Sequence, residues 1–470
     1  MSTFRSLVKS VATVLPEVPK PTRKPSFNEK LIWTGIVLIV YLTMGQIPLY
    51  SVAAGGQDPL AFSRVIFASQ RGTLMELGIG PIVTAGLILQ LLKGSEIIRL
   101  DFKKPEDRAL FSSATKMLTL IVVLVEASTF IMSGIYGQNL SLQVVSIILS
   151  QLFIAGIIVV LLDELVQKGW GLGSGVSLFI MAGVAQQVLW NIFSIIPTGE
   201  GPLGIIPYMI DSAMRGTWDL VLFRHSNLPS LFGLFITIAV ILMIIYAEGI
   251  RIEIPITSTK YRGFQGTYPI KLLYVSNIPV ILVSALSANF MFLAQMIWGR
   301  FNPGNSNTLL NLFVTYNATN TGAGPTGGLM YYVTSPGHIG STLTDPLRAV
   351  GYILYFVILS VMFARIWVEI GGLSPKEVAK NLLGADVQVR GFRRSGLSVQ
   401  AVLSRYIPVI TILGGIFIGL LASVSNLLGT FGSGIGLLLM TSITLQYYQT
   451  LMREQLETQM PRLAGLLGRS

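Results

Sequence analysis

The chain has 470 residues, of which 52% are hydrophobic and 12% charged, with a formal charge of +11 and a mean hydropathy of +0.67. Soluble domains carry about 25% charged residues, so the composition excludes a string of globular domains and defines a multi-span membrane protein. The absence of cysteine rules out disulfides, thiolate metal sites and a cysteine nucleophile, and His225 and His338, both placed in loops, argue against an imidazole metal centre.

In chain order, residues 1–30 hold six basic residues and no apolar core, and read as a cytoplasmic segment rather than a cleavable signal. Phe4, Leu7, Val8, Val11, Val14 and Leu15 recur at helical spacing around Arg5 and Lys9, which predicts an amphipathic surface helix. Leu31–Gln57 is uncharged and makes a first span. Residues 58–92 fit neither an ordinary span nor a soluble helix. Leu77–Leu92 has no charge and can cross a bilayer if its helix begins near Thr73, whereas the preceding piece carries Arg64 and Arg71. Gly72, Gly78, Gly80 and Pro81 interrupt the stretch. Breaks at membrane depth are tolerated only inside protein or along a cavity. They mark transport sites in some folds and are structural kinks in others; the residues alone leave both readings open.

A basic loop at 93–116 follows, then Met117–Leu162 with the single charge Glu126 and a polar break at 133–139, hence two spans. Asp163–Lys168 is a short charged turn, and 174–196 is the core of a fifth span. Residues 200–229 read as a polar external loop. The pattern then repeats with Leu231–Ala247, a β-branched stretch within 248–271 that predicts a hairpin, Leu272–Trp298, a charge-free but Asn/Thr/Gly-rich loop at 301–344, Ala349–Ala364, a charged loop at 371–405, and two spans in Tyr406–Met452 broken at 426–436. Ten spans put both termini on one side. Twenty-seven of the 33 Lys and Arg fall on that side, so both termini are expected in the cytoplasm. Two sets of five spans flanking 200–229 have opposite topology, an arrangement that puts a pathway between the halves.

Enzyme chemistry finds little support. Glu126 lies mid-span, Glu76 at a span entrance, and Asp163 and Glu164 close the fourth span, while HExxH, GxGxxG and P-loop motifs are missing. Ile79 and Val83 share one helix face, as do Val176 and Ile180; taken alone, such pairs are bundle core.

TLMELGIGPIVTAGLILQLLKGS (73–95), GLGSGVSLFIMAGV (171–184), RGFQGTYPIKLLYVSNIPVIL (262–282), LLGADVQVRGFRRSG (382–396) and QTLMREQLE (449–457) resemble, in the same order, blocks of the SecY family, whose members form the pore of the Sec protein translocon. The resemblance implies an all-α polytopic fold of ten transmembrane helices in two inverted five-helix halves around a central pore. Residues 1–30 would be the cytoplasmic N-terminal segment, 31–199 the first half with a plug at 59–69, 200–229 the linker, 230–452 the second half and 453–470 a cytoplasmic tail. It places a pore ring on Ile79, Val83, Val176, Ile180, Ile281 and Leu439, with Leu438 the alternative to the last. Phe62, Val65, Ile66 and Phe67 of the plug would contact that ring, with Arg64 facing an outer vestibule. Thr84, Glu126 and Asn289 would line a lateral gate. Arg251, Lys260, Arg262, Arg390, Arg393 and Arg394 would dock a ribosome. The wording GADVQVRGFRRSG and the long cytoplasmic loops resemble the archaeal or eukaryotic branch.

The resemblance therefore implies a channel that passes unfolded secretory chains across the plasma membrane and releases apolar segments into lipid. Neither catalytic residues nor a cofactor or metal are implied. Expected partners are a SecE-like and a small beta-type single-span subunit, the ribosome, signal sequences and nascent chains. The competing class is an inverted-repeat secondary transporter, which would need charged ligands at the helix breaks; here the breaks are Gly, Pro and aliphatic residues.

Overall fold

The structure, a computed structural model, describes residues 15–459 apart from 24, 53–63, 65–66, 95–96, 99, 101–103, 133–135, 137–140, 200, 217–218, 225–227, 259–264, 276–277, 318–323, 338, 385–386 and 390–395. The expected N-terminal surface helix through Val14, both histidines, Phe62, Val65, Ile66, Lys260, Arg262, Arg390, Arg393 and Arg394 lie outside the described residues.

Among the described residues, ten helices of 15 residues or more carry the architecture: α1 (Phe27–Met44), α2 (Gly80–Gly94), α3 (Pro105–Met132), α4 (Leu142–Gln167), α5 (Gly175–Phe193), α6 (Leu231–Gly249), α7 (Ile278–Phe301), α8 (Pro346–Ile370), α9 (Gly396–Leu427) and α10 (Gly434–Gln459). Eight of them, α1 and α3–α9, are long and apolar enough to cross a membrane. With 15 residues, α2 is about 22 Å long, shorter than the roughly 30 Å hydrocarbon core, and α10 turns polar after Gln446.

Several boundaries differ from the sequence expectation for local reasons. Ser26 and Glu29 form a capping box, so α1 begins at Phe27 rather than at the uncharged run, and it ends at Met44, well before Gln57. The second helix starts at Gly80, not near Thr73, because the intervening residues form turns: Leu49 N–H donates to Gly72 O (2.8 Å) and Leu74 N–H to Ile47 O (2.9 Å). The region read as a polar loop at 200–229 contains a helix, Ile205–Arg215, that buries Ile205, Tyr208 and Ser212 and exposes Ile206, Ile210 and Met214. α9 starts inside the charged loop read over 371–405, and that loop also holds the helix Pro375–Gly384.

The bundle has an inside and a lipid-ready outside. The most apolar windows of α7 and α9 are 59% and 56% buried, against 22–33% for the other six, so α7 and α9 are central. Large apolar side chains such as Ile39, Ile154, Phe235 and Ile358 are exposed, as lipid contact requires. α8 and α9 pack at backbone range: a Cβ on Gly415 would lie 3.0 Å from Val361 Cα, and one on Gly419 2.8 Å from Val357 Cα. Small residues serve close helix approach in membranes, where apolar burial gives no drive.

β1 (Arg251–Ser258) and β2 (Gln265–Lys271) form an antiparallel hairpin in register from Arg251↔Lys271 to Thr257↔Gln265. A third strand, β3 (Val387–Val389), adds to β1 at Ile256↔Val389. Ile254 and Ile270 of the sheet are buried with Val368, Val378, Val399 and Leu403, which seats the sheet on the ends of α8 and α9.

At the end of the bundle where α1 begins, the segment before α1 is strapped down. Lys116 Nζ donates to Pro16 O (3.0 Å) and Trp170 Nε1 to Pro19 O (2.8 Å); Glu17 pairs with Lys168, which also reaches Val18 O (2.5 Å). Lys116 and Lys168 share Glu164 at 2.9 Å each. The Lys168 bond and charge hold the Glu17 carboxyl below its ordinary pKa. A lowered carboxyl pKa stabilises the strapped state above the usual carboxylate range, and that contribution disappears as pH falls through the lowered value. The protection of the Val18 amide, its exchange rate relative to that of an unstructured chain at the same pH, should therefore fall as pH drops below the usual carboxylate range, and Lys168→Gln should remove most of that pH dependence.

Candidate functional site

After Phe67, the described residues 68–79 lead into α2 through turns, with Ala68, Met75 and Ile79 buried in the core of the bundle. The end of this stretch is fixed by the chain reversal at Gly78, whose φ is +54°; a Cβ there would overlap the Phe67 carbonyl. That close approach lets Ile79 N–H donate to Phe67 O at 2.8 Å, so the first residue of the proposed ring is hydrogen-bonded to the proposed plug segment. Gly80 follows, its absent side chain leaving room for the Phe67 ring at 3.5 Å and Glu126 Oε2 at 3.6 Å from the would-be Cβ.

Around this point the apolar residues converge. Ile79, Ile180, Leu438 and Leu439 are buried members of one cluster, and Val83, Val176, Ile281 and Phe67 pack against it. They come from the start of α2, from α5, α7 and α10 and from the proposed plug segment, so residues far apart in sequence belong to one extended apolar core. Leu438 and Leu439 are both buried (1% and 0% exposed), and burial does not choose between them. α5 is set in place by Asp163 of α4: its Oδ1 accepts from Val176 N–H at 3.0 Å, supplying a cap that Ser174 does not.

Arg64 departs from the expectation of a vestibule-facing cation. It is 8% exposed, and its Nη2 lies 2.6 Å from Oε1 of Glu76, whose side chain is fully buried. The other Glu76 oxygen accepts from Gly72 N–H. A charge at this depth cannot stay unpaired, so the guanidinium turns inward to the carboxylate. Arg64 still borders a cavity of about 780 Å³, with Gln46, Gln70, Gln186, Tyr41 and Trp190 among its walls. Sequence reasoning noted Glu76 only as a span-entrance acid; the available signal was an opposite-charge pair flanking a Gly-rich reversal in an otherwise apolar stretch.

Of the proposed gate residues, Thr84 and Glu126 meet, Thr84 Oγ1 donating to Glu126 Oε1 at 3.4 Å. Asn289 instead donates Nδ2 to Ala285 O of its own helix at 2.8 Å. Arg251 begins β1 beside Glu253, its Nε 2.9 Å from Oε1. Among the described residues, no group of three or more His, Asp or Glu side chains is placed to hold a metal ion.

This combination of a multi-span helical bundle, a broken helix and an apolar convergence agrees with what the sequence matches. The SecY family profile covers residues 73–448, and the profile for the plug domain of Sec61p covers residues 39–72. The chain belongs to the SecY family. Among solved structures, one described as the structure of a protein conducting channel is 37% identical, with 97% of this chain and 98% of that chain covered and a TM-score of 0.81. Sec61 from a canine ribosome-channel complex of the endoplasmic reticulum is 38% identical, with the same coverages and a TM-score of 0.78. The yeast Ssh1 complex bound to the yeast 80S ribosome is 27% identical, with 97% and 95% covered and a TM-score of 0.76.

The Arg64–Glu76 pair yields a direct test. Arg64→Met takes the guanidinium away from a buried carboxylate, a loss of about 3–5 kcal/mol for one partner of a buried pair. Adding Glu76→Gln, which keeps an acceptor for Gly72 N–H, should recover most of it. Thermal midpoints of the two purified variants read the difference; equal losses would count against the ion pair as the cause.

Proposed function

We propose that this chain is the pore-forming subunit of a protein-conducting channel that passes unfolded secretory polypeptides across the membrane and releases apolar segments sideways into lipid. The observation that carries the reading is that Ile79, Val83, Val176, Ile180, Ile281 and Leu439 all belong to, or pack against, the one apolar core that Phe67 also packs against. A narrow ring of branched aliphatic side chains expels water and blocks ions, yet yields to an extended chain because no covalent or ionic bond closes it. The plug segment, residues 59–69, forms a second layer of the seal. Thr84, Glu126 and Asn289 line a lateral seam, where a contact such as Thr84 to Glu126, worth roughly 0.6–2 kcal/mol in membranes, is weak enough for an inserting apolar helix to part.

In this reading α1–α10 are ten spans, the first five and last five forming inverted halves joined through 200–229. Both termini are cytoplasmic, in keeping with the distribution of basic residues, and the chain resides in the plasma membrane. The sheet β1–β2–β3 and its connecting loops then face the cytoplasm, where Arg251, Lys260, Arg262, Arg390, Arg393 and Arg394 meet ribosomal RNA phosphates. The ribosome-bound relatives support that partner. SecE-like and beta-type single-span subunits complete the channel, and the driving force comes from a partner.

Single-channel recording tests the seal. Ile79→Ser should admit water into the ring and give frequent ion-conducting openings from the idle channel, and deletion of 59–69 should give a related leak. If both variants stay as silent as the parent and lose only thermal stability, the cluster is ordinary packing. For the docking loops, Arg393→Glu with Arg394→Glu should weaken ribosome binding. Each lost phosphate contact should flatten the log–log salt slope by about one unit, read by co-sedimentation across a salt series.

A further inference from the structure

The plug segment is tied to the frame of the bundle by a residue outside the ring, the proposed gate and the plug itself. At its described end, Ser69 N–H donates back to Arg64 O (2.9 Å) and Ala68 lies in the left-handed region at φ +47°. A left-handed residue closing such a reversal is ordinarily glycine. Ala68 is 7% exposed, and its carbonyl accepts from Tyr41 Oη of α1 at 2.5 Å. Tyr41 is itself 3% exposed, and its ring stacks on Phe179 of α5 at 4.1 Å and 6°. Phe179 is the neighbour of Ile180 in the apolar cluster. On the other side of Ala68, the backbone of α5 comes flush: a Cβ on Gly183 would lie 3.0 Å from Ala68 Cβ.

Two of the segment's other fixings, Arg64 to Glu76 and Phe67 to Ile79, join it to the chain leading into α2. Tyr41 joins it to α1 and, through Phe179, to α5. We infer that Tyr41 is a positioning residue for the seal: its hydroxyl holds the Ala68 hinge in the closed place, and this bond breaks when the plug leaves. The inference rests on the proposed role of 59–69 as a plug. A contact made in only one of two states shifts their balance by its own strength. Tyr41→Phe keeps the stacked ring and removes only the hydroxyl, so it should raise idle openings about 2- to 13-fold, the range for one ordinary hydrogen bond.

The test uses the full channel complex in planar bilayers, and the cysteine-free sequence allows site-specific trapping. Tyr41→Phe is recorded beside the parent and beside the 59–69 deletion. The same variant is then combined with Ala68→Cys and Gly183→Cys. Support is a rise in openings for Tyr41→Phe that oxidation of the thiol pair suppresses and a reductant restores. A Tyr41→Phe channel as silent as the parent, while the deletion leaks, overturns the role of Tyr41 and leaves the plug reading intact. Silence of the deletion too overturns the plug reading itself. A fall in thermal midpoint with no change in opening frequency makes Tyr41 a packing residue only. If Tyr41→Phe does not assemble, the thiol pair on the Tyr41 background decides. Translocation blocked on oxidation and restored on reduction supports a hinge that must move, and translocation indifferent to the crosslink overturns it.

Discussion

Backbone that is not helical at membrane depth must find every hydrogen-bond partner within the protein, since lipid offers none. The stretch from Phe67 to Ile79 meets this constraint by local reciprocity. Phe67 O is taken by Ile79 N–H, Ala68 O by the Tyr41 hydroxyl, Gly72 N–H by the Glu76 carboxylate, and Gln70 N–H donates to Met75 O at 3.0 Å. Gly72 O and the Leu74 amide are satisfied by the chain just after α1. The positions of the apolar cluster, of Gly80 and of α2 follow from this folded-back segment. Without it, Ile79 would lose the bond to Phe67 O that fixes its place in the core.

The same segment explains why charge is found so near the centre. Glu76 carries two tasks, balancing Arg64 and accepting from a backbone amide that has no helical partner. A buried pair of this kind contributes little net stability compared with apolar side chains, but losing either half is expensive.

How much of this was legible in the sequence depended on periodicity. The long apolar runs of α3 through α9 announce themselves, and so does the β-branched stretch that becomes the β1–β2 hairpin. What escaped was set by contacts between distant residues. Tyr41 looks like any aromatic in an apolar helix, and nothing in its spacing points to Ala68. Arg64 and Glu76 lie twelve apart across a turn, outside any helical register. The apolar stripe of the helix at 205–215 was hidden among Pro, Gly and charged neighbours, so that region read as polar on average. Asn289, singled out by type and position, bonds within its own helix, because a side-chain amide in a span has an i−4 carbonyl always within reach. The aliphatic cluster was legible only through resemblance, since Ile, Val and Leu at helix positions carry no mark of their own.

The strand β3 has a mechanical meaning beyond its three residues. By pairing with β1 it fuses the connection between α6 and α7 to the connection between α8 and α9. Backbone ladders resist sliding far better than side-chain contacts do, and the sheet's buried face is seated on α8 and α9. A load applied to either connection is thus shared among the feet of four helices. The sheet acts as a yoke, converting a pull at one point into a common displacement of one side of the bundle.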